Sequence, residues 1–197
     1  MALGTVTGPH ELRFDTGRLC LDLLTTTHPT ERLGSVAVLR AWITGAALVP
    51  PGTPLAHADG DWLAAFRDLR AQTARLVRDR HTPGTRPYAL ALARVNDTAR
   101  AAPPAPRAVP GEDGSLVREL TGPPECAALL GAVARDAVEL LTDPVARAAL
   151  RQCEGDNCPI VYLDTSRGRR RRWCSSEVCG NRERVARHRR RAALTRP

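Results

Sequence analysis

Four of the six cysteines fall as Cys153-x4-Cys158 and Cys174-x4-Cys179, with fifteen residues between the pairs. Thiolates are soft donors, and two such pairs separated by one hairpin's length of chain have the layout of a structural zinc site. Four thiolates at about 2.3 Å from one tetrahedral ion form a closed shell with no position for water. The expected cofactor is therefore one structural Zn2+. His188 stands nine residues beyond Cys179, about 13.5 Å along a helix and too far to complete the same shell. Cys20 and Cys126 lie in apolar surroundings and read as small core residues.

Two disulfides would be the competing use of these thiols. No stretch reaches the roughly 18 apolar residues of a membrane-spanning helix, and "MALGTVTGPHELRFD" lacks a basic segment followed by an apolar one. The expectation is a cytoplasmic protein without membrane partners, where thiols stay reduced and clustered cysteines bind metal.

The second chemical signal is arginine. All 29 basic residues are Arg, yet residues 1–150 carry 16 Arg against 16 acids, whereas residues 151–197 carry 13 against 5. The whole net charge of +8 lies in this C-terminal tail. Such a local field is the electrostatic footprint of a polyanion partner, nucleic acid above all.

Within the tail, "PIVYLD" and "RRRRW" read as two strands of a hairpin turning at "TSRG", with Arg167 at the turn. Alternation along the second strand would send Arg169 and Arg171 to the face of Trp173, and Arg170 and Arg172 to the other. Tyr162 and Trp173 would form the small core of the module. Beyond Cys174, Ser175 or Ser176 can cap a helix running to about Ala193. At 100° per residue, Val178, Val185 and Ala192 make a narrow apolar stripe to seat that helix. Arg184, Arg187, Arg190 and Arg191 fall within about a 120° arc opposite, with Asn181 and Arg182 on the first exposed turn. These arginines and Asn181 are the candidate nucleic-acid contacts.

The elements ahead of the tail are mainly helical. Residues 59–80 place Trp62, Phe66, Leu69, Thr73, Leu76 and Val77 at helical spacing behind a capping Asp. Further helices are expected over 35–48, from Pro87 with Tyr88, Leu92, Val95 and Ala99 inward, over 123–143, and over 144–151. "RAVPGEDGSLVREL", residues 107–120, reads as a hairpin. Residues 12–27 suggest a short strand and then a buried helical turn, although their uniform apolar character leaves helix and strand open.

"LDTSRGRRRRWCSSEVCGNRERVARHRRR", with Cys153 and Cys158 before it, resembles the CGNR zinc finger, whose name stands here as Cys179, Gly180, Asn181 and Arg182. In that family the finger follows an ABATE domain, and "RFDTGRLCLDLLTTT" looks like that domain's opening motif. Thr25 stands where the motif usually has Asn, so no role of that Asn carries over, and Arg167-Gly168-Arg169 replaces the usual Asn-Gly turn. The resemblance implies a stress-induced transcription regulator and favours DNA over RNA.

The expected fold is α+β. A mainly helical N-terminal domain with a small hairpin occupies residues 1–150, and a treble-clef-like zinc finger of knuckle, β-hairpin and basic helix occupies residues 151–197. The expected function is a zinc-dependent nucleic-acid-binding regulator, with an RNA-associated module or a protein adaptor as alternatives. There is room for a small-molecule ligand in the N-terminal domain and for a homodimer. Catalysis is not expected: the finger lacks an open metal position, and caps and surface positions account for Asp15, Asp22, His28 and Glu31.

Overall fold

The computed structural model describes residues 12–80 and 84–194. Its order is α1 (Leu19–Thr25), α2 (Val36–Gly45), α3 (Gly60–Arg78), α4 (Arg86–Thr98), β1 (Pro106–Pro110), β2 (Leu116–Leu120), α5 (Cys126–Thr142), α6 (Pro144–Ala148), β3 (Leu150–Gln152), β4 (Val161–Leu163), a π-helical turn (Ser176–Gly180) and α7 (Asn181–Leu194). Local signals start the helices: Ser35, Asp59 and Thr85 each accept a hydrogen bond from a first-turn N–H of α2, α3 and α4.

Helix α3 buries Phe66, Leu69, Leu76 and Val77 on one face, against Leu39, Trp42 and Ile43 of α2 and Leu129, Val133, Ala137 and Leu140 of α5 in one apolar core. Trp42 meets Phe66 edge-on with centroids 5.8 Å apart. A side chain at Gly131 would lie 2.5 Å from the Ala101 carbonyl oxygen, so α5 can lie against the chain leaving α4 only with glycine there. On α4 the inward residues are Ala91 and Val95, and Leu92 is exposed, contrary to the expected stripe. The small Ala91 takes the contact position and rotates Leu92 to the margin.

Among the described residues no strand precedes α1. Its N-terminus is capped from another element: the Cys20 N–H donates to Asp136 of α5 at 2.8 Å, and Asp136 also pairs with Arg18 at 2.9 Å. Asp22 is buried, and its Oδ1 accepts from the Thr16 N–H at 3.0 Å and the Thr16 hydroxyl at 2.6 Å. Glu31 is engaged by Arg70 at 2.8 and 2.5 Å, and Arg70 also donates to the Thr26 hydroxyl at 2.7 Å. Asp22 and Glu31 are thus structural anchors, with their oxygens turned to chain partners.

The β1–β2 hairpin is antiparallel, with Pro106 opposite Leu120 and Pro110 opposite Leu116, and most of its residues are exposed. The second antiparallel pair differs from expectation. β4 pairs with β3, Leu163 opposite Leu150, and not with the arginine run. Leu150 offers β4 an apolar partner that belongs to the main core together with Val161. Residues 169–173 are not strand, and Arg169 has a left-handed φ of 48° that breaks extension. The boundary expected at 150/151 falls inside β3. Among the described residues no helix is long and apolar enough to cross a membrane.

Burial raises the Asp22 carboxyl from 3.8 to about 7, against the two Thr16 hydrogen bonds. A carboxyl raised by folding contributes stability below its unfolded value and loses it as pH rises through the folded one. Asp22→Asn keeps the oxygen that Thr16 needs and removes the proton. The stability difference between wild type and Asp22→Asn should therefore fall by about 1.4 kcal/mol per pH unit from about pH 4 to 7, then level off. Urea unfolding of both across this range checks it, and parallel profiles would count against it.

Candidate metal centre

Cys153, Cys158, Cys174 and Cys179 are all buried, none is in a disulfide, and their sulfurs lie within 4.8 Å of one another. Cys158 and Cys174 Sγ are 3.7 Å apart, and Cys174 and Cys179 Sγ 3.6 Å. A tetrahedral shell with bonds of about 2.3 Å has edges of about 3.8 Å. The four sulfurs thus fit one structural zinc, as the spacing predicts, and the ion would supply charge neutralisation and a cross-link between the pairs.

Local backbone geometry aims each pair. β3 leads into the first knuckle and β4 out of it, closed by the Cys153 N–H donating to the Ile160 carbonyl at 2.9 Å. Within Cys-Glu-Gly-Asp-Asn-Cys, Asn157 has a left-handed φ of 55°. A side chain on Gly155 would stand 3.2 Å from Cys179 Cβ and 3.4 Å from Cys153 Sγ, so the bare backbone lets the knuckle close on the cluster. The N–H groups of Gly155 and Cys174 donate to Cys153 Sγ at 3.4 and 3.3 Å. Ser175 caps the π-helical turn through the Val178 N–H at 3.2 Å, placing Cys179 inward. Ile160, Tyr162 and Trp173 complete the small core, as expected for the two aromatics.

The Cys174 thiol is lowered to about 5, first by the hydrogen bond from Cys158 and then by Arg13, against the opposing effect of burial. Cys158 is pushed up mainly by that same hydrogen bond, and Cys179 to about 12 mainly by burial. Nη1 of Arg13 lies 3.2 Å from Cys174 Sγ. Nothing in the spacing of the cysteines signals this contact from a residue 161 positions away.

The arginines divide into two groups. Arg171 turns inward: its guanidinium lies 4.5 Å from the Tyr162 ring centroid and donates to the carbonyls of Trp173 at 2.8 Å, of Asp15 at 3.0 Å and of Cys174. Arg172 pairs with Glu154 at 2.6 Å and stands 5.2 Å over Trp173, reversing the expected assignment of faces. Asp164 organises the turn by accepting from Ser166 N–H and hydroxyl and from the Arg171 N–H, and the Ser166 bond is the main cause that holds its carboxyl below the usual value. Arg167, Arg169 and Arg170 are exposed around that turn.

On α7, Asn181, Arg182, Arg184, Arg187, Arg190 and Arg191 are exposed, and so is Arg189, which the arc of the helical wheel left out. Arg184 reaches back to the carbonyls of Gly180 and Ser176 at 3.3 and 3.2 Å, and Arg190 pairs with Glu183 at 2.8 Å. The expected apolar seat is absent: Val178 and Val185 are 38% and 44% exposed, and the side chain of Ala192 lies outside the described residues. Helix α7 packs chiefly on the π-helical turn that precedes it.

Comparison with known families gives two matches in chain order. Residues 17–144 match the ABATE family, described as "Putative stress-induced transcription regulator", and residues 149–192 match the CGNR zinc finger. No curated protein matches the chain.

Purified protein should hold one zinc per chain, and Cys153→Ser or Cys179→Ser should abolish retention. Metal analysis with hydrogen exchange checks both, with residues 153–180 losing protection on chelation while α3 and α5 keep theirs. A full-length chain that takes up no zinc would overturn the assignment.

Proposed function

The chain belongs to the ABATE family and ends in a CGNR zinc finger, and from that premise we propose that it is a zinc-dependent, DNA-binding transcription regulator. The observation that carries this reading is the exposed arginine surface of α7. A largely polar helix that packs chiefly at one end gains little from the rest of the fold, and a free helix of this length is marginal in water. Six arginines between 182 and 191 face one acid, Glu183, among these residues. Arg187 and Arg189 make no hydrogen bond or ion pair among the described residues.

An anionic groove supplies what the protein withholds. Fourteen residues span about 21 Å, and a helix of ordinary diameter fits the major groove of duplex DNA. In this reading the zinc shell fixes the angle at which α7 leaves the finger. Arg182, Arg184, Arg187, Arg189, Arg190 and Arg191 reach phosphates, Asn181 approaches a base edge, and Arg167, Arg169, Arg170 and Arg172 extend the contact along the backbone. Arg171 braces the finger. DNA is preferred over RNA on the family description. The role is binding and not catalysis, in the cytoplasm, with the N-terminal helices taking the regulatory input through a small ligand or self-association.

Anisotropy titration of labelled duplex DNA across salt tests the proposal. The six phosphate contacts of α7 alone predict about a 10³-fold loss of affinity between 50 and 200 mM salt. Arg187→Ala combined with Arg189→Ala should weaken binding on all sequences and lower the log–log slope by about 1.8. Salt-independent binding would overturn the reading, and tighter binding of structured RNA than of duplex DNA would replace its target.

A further inference from the structure

The opening motif "RFDTG" lies along the finger, although more than 130 residues separate the two in sequence. The Arg13 side chain is only 11% exposed. Its Nη2 meets both carboxylate oxygens of Asp15 at 2.8 and 3.0 Å, and its Nε meets one of them at 3.2 Å. With that edge fixed, Nη1 reaches Cys174 Sγ at 3.2 Å and Nη2 also donates to the Cys174 carbonyl at 2.9 Å. The finger returns the contact: Arg171 donates to the Asp15 carbonyl at 3.0 Å, and the Leu163 N–H to the Thr16 carbonyl at 2.8 Å.

We propose that Arg13 is a positioning residue of the zinc site, donating to the Cys174 thiolate from the N-terminal region and coupling the finger's grip on zinc to the docking of residues 13–16. The proposal rests on the four cysteines holding zinc. A dication with four thiolates leaves two negative charges in a buried cluster, and hydrogen-bond donors to sulfur are the means of stabilising them. Backbone N–H groups serve Cys153. For Cys174 the charged donor is Arg13, pre-aimed by Asp15, so little orientation is lost on contact. Lysine cannot replace it, because a single ammonium cannot span the carboxylate, the sulfur and the carbonyl together.

Coupling of this kind is reciprocal. Whatever factor the docked segment adds to zinc affinity, zinc adds to the docking of the segment. In the zinc-bound site, where Cys174 is a thiolate with or without Arg13, loss of the donor leaves its sulfur more nucleophilic, so an undocked segment exposes this ligand to electrophiles and oxidants ahead of the other three.

The test uses the full chain with Arg13→Ala, Arg13→Lys and Asp15→Asn. Zinc affinity is read by competition with a colorimetric chelator, and iodoacetamide labelling of each cysteine by mass spectrometry. Arg13→Ala should lose about 10–100-fold in zinc affinity. With zinc kept in saturating excess, its Cys174 should label faster while Cys153 keeps the wild-type rate. Arg13→Lys should restore only part of the affinity, and Asp15→Asn should move both readouts the same way by less. Unchanged hydrogen exchange in α3 and α5 separates this from general unfolding. Zinc affinity within about twofold of wild type in Arg13→Ala, or equal acceleration at all four cysteines, would overturn the link and leave the zinc assignment standing. A wild-type chain without zinc affinity would overturn both.

Discussion

Four buried sulfurs within 4.8 Å of one another are the constraint on which the C-terminal part of the chain is built. As thiolates they repel and are desolvated, and only a bound cation makes the arrangement favourable. The apolar support is slight, three residues around the cluster, so the metal stands in for the core that so short a segment cannot bury. Everything beyond inherits its placement from this cluster. Cys179 sits in the turn that launches α7 and on which α7 chiefly packs.

Much of this was legible from local chemistry. The cysteine spacing led to the cluster, and capping residues Asp59, Ser175 and a start near Pro87 located α3, the π-helical turn and α4, because each signal is satisfied within a few residues. What failed was decided at long range. Val161–Leu163 has two sequence neighbours that could pair with it, and the winner is the one whose Leu150 joins the main core. In the run Arg169–Arg172 the four residues are chemically identical, so nothing local marks Arg171 as the one that folds inward. The Tyr162 ring and the Asp15 carbonyl make that choice. Val178 and Val185 have helical spacing without a surface to meet, since periodicity describes a face and not what lies opposite it.

The two halves of the chain are not simply strung together. Asp22 holds Thr16, Thr16 receives Leu163, and Arg13 and Asp15 close on Cys174 and Arg171, so one short irregular segment joins α1 to the metal cluster. Its polar groups are directed to partners at both ends, which accounts for the lack of strand before α1. Asp15, Asp22 and Glu31, which the sequence suggests as caps and surface residues, are engaged here as fasteners.

The β1–β2 hairpin stands apart from these links, and its edges are unequal. The Gly111 N–H bonds Ser115 and the Thr121 N–H bonds Ala105. In an antiparallel ladder with those inward pairs, positions 106, 108 and 110 turn their nitrogens outward. Two of the three are proline, so Ala108 is the one donor left on that side. A further strand can therefore be templated along β2, where Leu116 is 74% exposed, but not along β1. Two copies paired through β2 would present only their proline-interrupted β1 edges, which are poor templates for a further strand.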